Sequence, residues 1–165
     1  MVSTVGAMSD VVLVTGASRG IGLAIASAFQ AAGHQVAATC RSEADAAALA
    51  AAGFFPVICE VTDAASIDTA FDTAEAELGL ITVAVANAGI TRDGLILRMS
   101  DEDIDTVLNT NLAGSLRVAR RAAKSMVRAK RGRLIFISSV VGLLGSAGQA
   151  NYAASKSGQI GRAHV

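Results

Sequence analysis

The feature that most narrows what this chain can fold into is an alternation of short, wholly apolar runs with alanine-rich stretches along its length. Val11-Val12-Leu13-Val14 and Leu134-Ile135-Phe136-Ile137 carry no polar face. A strand of that kind is buried on both sides, as in a parallel sheet covered by helices, whereas a sheet with one wet face gives a period of two. The pattern predicts strands at Val11–Thr15, Gln35–Thr39, Pro56–Glu60, Val83–Ala86 and Leu134–Ser138. Helices are expected at about Ile21–Ala31, Ala44–Ala51, Ala64–Leu78 and Asp101–Ala129, with another beginning near Tyr152 and a long loop from Ser139 to Asn151 before it. This order predicts an open, doubly wound α/β sheet. Alanine and glycine supply small surfaces where helices press on the sheet, so the chain is 52% hydrophobic with only 4% aromatic residues. Asp63 and Ser100 stand where helix N-caps are wanted, and Gly33 and Gly53 where a left-handed residue ends a helix.

The charge balance excludes several classes. Fourteen Lys and Arg face fourteen Asp and Glu, giving no net charge. That argues against a nucleic-acid binder, which needs clustered positive charge, and against disorder, which needs high charge and low hydrophobicity. No apolar run approaches the roughly 18 residues of a membrane span. Residues 1–9 lack a cationic segment followed by an apolar one and read as a flexible extension, with Met8 as an alternative start. Cys40 and Cys59 belong to no metal-ligand or redox spacing and read as buried small hydrophobes of a cytoplasmic, reducing compartment; no metal site is expected.

Three motifs carry chemistry. Thr15-Gly16-Ala17-Ser18-Arg19-Gly20-Ile21-Gly22 joins the first strand to the first helix. Glycines there allow a tight turn and let a pyrophosphate approach the N–H groups of a helix start, although an ordinary strand-to-helix turn uses glycines too. The second strand ends in Thr39-Cys40-Arg41-Ser42 without the acid that receives an adenosine ribose in NAD sites. Arg41 and Arg19 together suit a 2′-phosphate, so NADPH is expected over NADH. Glu43 is close enough to compete, and two solvated arginines are the alternative reading. The third motif is Tyr152-Ala153-Ala154-Ser155-Lys156 with Ser139 upstream. Positions i and i+4 share a helix face, and a neighbouring ammonium favours the phenolate, which suits Tyr152 to giving a proton to a carbonyl oxygen. A surface tyrosine on an amphipathic helix is the alternative.

With these residues in place, the chain resembles the short-chain dehydrogenase/reductase family, a Rossmann-type fold. Thr15 to Gly22 resembles its cofactor loop, and Asn87-Ala88-Gly89 resembles its sheet signature. The resemblance implies that cofactor is held by Gly16, Ser18, Arg19, Gly20, Ile21, Gly22, Arg41, Asn87, Ala88 and Gly89, by Asp63 at the adenine, and by Tyr152 and Lys156. It implies a catalytic tetrad of Asn111, Ser139, Tyr152 and Lys156. In it Tyr152 is the acid, Lys156 aids it and holds the nicotinamide ribose, Ser139 polarises the carbonyl, and Asn111 helps hold a relay water. Asn87 to Gly94, Ser139 to Gly142 and Gly148 to Tyr152 are similar to the 3-oxoacyl-acyl-carrier-protein reductases of fatty-acid synthesis. That subgroup implies reduction of an acyl-carrier-protein-bound 3-oxoacyl thioester with NADPH by a homotetramer. Arg128, Lys130, Arg131 and Arg133 would then steer an acidic carrier protein, or else simply complement a helix C-terminus.

Members of the family continue beyond the Tyr-x-x-x-Lys helix with two further strands and a substrate cover, to which nothing in this sequence corresponds. Residues 10–165 are therefore read as this domain without its last strands. An exposed strand edge at Leu134–Ser138 and weak or absent activity of the chain alone are expected. Two rival readings stay open: a ketoreductase of another substrate class, and a noncatalytic dinucleotide-binding module.

Overall fold

A computed structural model describes residues 9–161; most of the expected N-terminal extension, and Arg162 to Val165, lie outside the described residues. Five strands, β1 (Val11–Val14), β2 (Gln35–Cys40), β3 (Phe55–Ile58), β4 (Val83–Ala86) and β5 (Arg133–Phe136), form one sheet in the order β3-β2-β1-β4-β5. Every pairing is parallel, with Val12 opposite Val36 of β2 and Val83 of β4. The helices are α1 (Gly20–Ala31), α2 (Glu43–Ala51), α3 (Ala64–Leu78), α4 (Asp101–Val107), α5 (Gly114–Ala129), α6 (Val141–Leu144) and α7 (Ala150–Ile160). The α/β, doubly wound parallel architecture expected from the sequence is the one observed.

The apolar runs are buried on both sides because the sheet is covered on both. Val11 and Leu13 pack with Ile67 and Phe71 of α3 and Val118 of α5. Val12 and Val14 point the other way, into a cluster with Ala26 of α1 and Leu49 of α2. Leu13, Ile67 and Phe71 are almost completely buried, and each such side chain contributes about 1.5–3 kcal/mol of transfer free energy. Asp63 and Ser100 cap α3 and α4 as expected, accepting from the Ala65 and Asp103 amides at 2.9 and 3.1 Å. Ser42 caps α2 in the same way.

Three departures concern the site. The stretch read as one helix over Asp101–Ala129 is interrupted by a π turn at Leu108–Ala113. Such a turn accommodates an extra residue, and here its Asn111 side chain is fully buried and engaged by the segment after β4. The loop from Ser139 to Asn151 contains the short helix α6, and α7 begins at Ala150, which puts Tyr152 in its first turn. β5 stops at Phe136, although the Ile137 amide still donates to the Ala86 carbonyl. Among the described residues β5 is a sheet edge and its side chains are only partly buried, in line with the expected exposed edge.

α3 and α5 are joined by a buried arginine. Arg121 forms ion pairs with Asp72 at 2.7 Å, Glu75 at 3.0 Å and Asp68 at 3.4 Å, and it lies over the Phe71 ring at 4.8 Å. Asp68, Asp72 and Glu75 recur at helical spacing on one face of α3, so removing the cation leaves three facing acids, of which Glu75 is the buried one. Arg121→Met should lower stability in urea unfolding by about 2–3 kcal/mol, below the usual cost of breaking a buried pair because two of the acids are solvated. A loss under about 0.5 kcal/mol would contradict this account.

Candidate active site

In this strand order the chain leaves β1 toward β2 on one side and returns through β4 on the other, so a crevice opens at the C-terminal ends of β1 and β4. A knot of hydrogen bonds ties those ends together. The buried Thr15 hydroxyl donates to the Val85 carbonyl at 3.2 Å and accepts from the Asn87 and Ala88 amides, both at 3.0 Å. The Asn87 side-chain amide returns the link, donating to the carbonyls of Thr15 and Gly16 at 2.9 and 3.2 Å.

The glycine loop is moulded against this knot. Gly16 and Gly20 adopt φ of +63° and +58°, where a side chain is strained. At Gly22 the constraint is space, since a Cβ there would run into the Gly16 carbonyl and come within 2.5 Å of Asn87 Nδ2. Helix α1 then begins without the capping side chain that α2, α3 and α4 each have, and with no acid in its first turn. Its first N–H groups and the positive end of its dipole are left for an anion.

Around the loop lies a cleft of about 450 Å³. Its walls include Gly16, Ser18, Arg19, Gly20, Ile21, Gly22, Arg41, Asn87, Ala88 and Gly89, residues that lie on three separate segments of the chain. Arg19 and Arg41 are exposed, and their side chains have no hydrogen-bond or ion-pair partner among the described residues. Asp63 does not line the cleft; its carboxylate caps α3. Two acids reach the wall: Asp45, two residues beyond Glu43, and Glu60, whose carboxylate accepts from the Thr62 amide and hydroxyl, both at 3.0 Å. Thr39 was not singled out in the sequence, yet its side chain and carbonyl receive the Gly16 and Ala17 amides at 3.2 and 2.8 Å. A lone hydroxyl near the end of an apolar strand was the available signal. Cys40 and Cys59 also reach the wall, but they belong to core clusters on opposite faces of the sheet. Burial raises both thiols, Cys59 to about 12, so neither is a thiolate near neutral pH.

Three of the four residues expected as a tetrad, Asn111, Tyr152 and Lys156, lie where α7 packs on the π turn. Asn111 Oδ1 accepts from the Ile90 amide at 2.8 Å, while Nδ2 donates to the Ile90 carbonyl at 2.9 Å and to Ser155 Oγ at 3.1 Å. Ser155, unremarked in the sequence apart from its place between Tyr152 and Lys156, in turn donates to the Tyr152 carbonyl at 2.7 Å. Lys156 is buried; its ammonium donates to the Ile137 carbonyl at 2.7 Å and to Gln159 Oε1 at 3.3 Å, and it lies 5.7 Å from the centre of the Tyr152 ring. Burial lowers its pKa from the usual lysine value. Ser139 is held beside the same helix: the neighbouring Ser138 hydroxyl donates to the Lys156 carbonyl at 2.8 Å, and a Cβ on Gly142 would strike the Lys156–Ser157 backbone. Ser139 Oγ accepts from the Val141 amide at 3.2 Å, which leaves its own hydrogen available.

Gly89 joins the two halves. It lines the cleft, and a Cβ on it would sit 3.1 Å from Asn111 Oδ1 and 3.7 Å from Lys156 Nζ. A ligand lying along the cleft past Gly89 therefore arrives beside the Lys156 ammonium.

Comparison with known proteins decides the family. The pattern of the short chain dehydrogenase family matches residues 10–165. The chain belongs to the short-chain dehydrogenase family. Among its relatives, the 3-oxoacyl-[acyl-carrier-protein] reductase MabA of Mycobacterium tuberculosis is 50% identical over 156 residues, covering 94% of this chain and 61% of its own length. The MabA of Mycobacterium avium is 47% identical over 94% of this chain and 59% of its own. The reductase FabG of Escherichia coli is 45% identical over 92% of this chain and 63% of its own. The chain thus spans about three fifths of the length of these curated relatives. No helix among its described residues is long and apolar enough to cross a membrane, and none of their acidic, His or Cys side chains gather as a metal site.

Proposed function

We propose that the chain carries the cofactor cleft and catalytic residues of an NADPH-dependent reductase of 3-oxoacyl thioesters. The observation that carries this reading is the continuity at Gly89, where an anion-ready glycine loop meets a buried Lys156 and the Asn111 clamp. The relatives from Mycobacterium tuberculosis and Escherichia coli, 50% and 45% identical, are named 3-oxoacyl-[acyl-carrier-protein] reductases, which supports the substrate class. A homotetramer and a cytoplasmic setting belong to the same reading.

The residues fit a phosphorylated dinucleotide. The uncapped start of α1 and the Gly16–Gly22 loop would take the pyrophosphate, and the unpaired Arg19 and Arg41 would flank a 2′-phosphate. Asp45 and Glu60 are the competing acids; Glu60 is already engaged by the Thr62 amide and hydroxyl, while both guanidinium groups stand exposed toward an anionic ligand. When bound, the reduced dinucleotide supplies hydride to the carbonyl carbon of the substrate. Tyr152 gives a proton to the carbonyl oxygen, and Ser139, with one lone pair taken by the Val141 amide and its hydrogen uncommitted, donates to the same oxygen. Lys156 meets two acceptors, the Ile137 carbonyl and Gln159 Oε1, with three hydrogens, which leaves one N–H for the nicotinamide ribose past Gly89. Asp63 reaches the adenine only by adding that contact to its capping bond.

Two measurements test the reading. In fluorescence titrations NADPH should bind more tightly than NADH, and replacing both Arg19 and Arg41 by Ala should weaken NADPH at least about tenfold while changing NADH by less than about threefold. Tighter NADH binding in the unaltered chain would overturn the cofactor assignment. With acetoacetyl thioester and NADPH, Tyr152→Phe should lower turnover by about a hundredfold or more while leaving cofactor affinity within about twofold. Cofactor binding without turnover, indifferent to Tyr152→Phe, would favour a noncatalytic dinucleotide-binding module instead.

A further inference from the structure

Gln159 is buried almost completely on a helix of eleven residues, at a position where an apolar side chain would fill the same volume. A buried primary amide costs free energy unless both ends are bonded. Here each end is bonded to a different member of the tetrad. Gln159 Nε2 donates to the Asn111 main-chain carbonyl at 2.8 Å, and Gln159 Oε1 accepts from Lys156 Nζ at 3.3 Å. Lys156 and Gln159 are i and i+3 on α7 and share a face, while Asn111 comes from the π turn packed against it.

The two partners fix the orientation of the amide. Turned over, Nε2 would oppose an ammonium and Oε1 would oppose a carbonyl, placing donor against donor and acceptor against acceptor. The bridge therefore reads in one direction only, from the Asn111 carbonyl through the amide to the ammonium. The Asn111 side chain cannot make this link itself, since both its ends are spent on Ile90 and Ser155.

We propose that Gln159 is a positioning residue for Lys156, its side-chain amide anchoring on the Asn111 carbonyl and holding the ammonium in the place from which it serves Tyr152 and the cofactor ribose. The bond at Oε1 and the bond to the Ile137 carbonyl aim two hydrogens of Lys156 away from the cleft and leave the third for a ligand. Burial works against the charged form of Lys156, and an acceptor on the ammonium works for it, so the Gln159 bond favours the protonated lysine. What Lys156 does once held rests on the reductase reading; the bridge itself does not.

The test reads Lys156 directly and needs neither cofactor nor substrate, so its failure is distinct from a failure of the reductase reading. The chain has three lysines, Lys124, Lys130 and Lys156, so ¹³Cε-lysine NMR gives a resolvable titration, with Lys156→Arg assigning the buried signal. Gln159→Leu should lower the Lys156 midpoint by about half a unit or more, and Gln159→Glu, which keeps an acceptor and adds charge, should raise it. A role confined to packing predicts lost stability with the Lys156 midpoint unmoved in both variants, and that result would overturn the proposal. Should Gln159→Leu fail to fold, Gln159→Glu alone decides: a raised midpoint upholds the bridge, and an unchanged or lowered one refutes it.

Discussion

The ends of β1 and β4 could separate freely if only the strand ladder joined them, because each strand is four residues long and the chain leaves it at once into a loop. The Thr15 hydroxyl and the Asn87 amide prevent this. Between them they satisfy the main-chain groups at the mouth of the crevice, where a lost partner costs about 1–3 kcal/mol per buried group. Because Asn87 Nδ2 also occupies the space beside Gly22, the same contact sets how closely α1 approaches the sheet. The shape of the glycine loop, the free start of α1 and the line of the cleft all follow from this knot.

A second constraint lies one step further along. Asn111 clamps Ile90, two residues beyond Ala88, and holds Ser155 on α7. The π turn is what lets a residue of a long helix do this without breaking the rod from Asp101 to Ala129, and functional sites are common at such insertions. Through Gly89 and Ile90 the wall of the cleft and helix α7 are thus positioned by one short segment. The exposed basic residues near the end of α5 are less constrained: Arg131 pairs with Asp10 at 3.2 Å, and Lys130 adopts a left-handed conformation that ends the helix. Those observations favour a structural use for that part of the cluster over a carrier-protein contact.

Much of this was legible in the sequence because the signals are local. Strands buried on both faces read as unbroken apolar runs, and Asp63 and Ser100 stood at the caps they fill. The cleft residues came from motifs whose glycines have a steric reason that can be stated from spacing. What escaped depends on contacts between distant segments. Arg121 looks like one more cation on a basic helix until α3 brings Asp72 and Glu75 to it. The π turn leaves the apolar periodicity of Asp101–Ala129 nearly intact, so nothing local announces it. Gln159 reads as a solvated residue unless the Asn111 carbonyl and Lys156 are already in place. Asp63 fills the cap that its sequence position implies, while its reading at the adenine rests on the family resemblance alone.

The central claim is that the crevice held by Thr15 and Asn87 is a dinucleotide site leading past Gly89 to Lys156. The most direct measurement is a ¹H–¹⁵N spectrum of the chain titrated with NADPH. The account predicts shifts concentrated on the amides of Gly16 to Gly22, Thr39 to Arg41 and Asn87 to Ile90, with little change on the outer faces of α3 and α5. Binding of NADPH that left the Gly16–Gly22 and Asn87–Ile90 amides unmoved, or shifts confined to another face of the sheet, would contradict it.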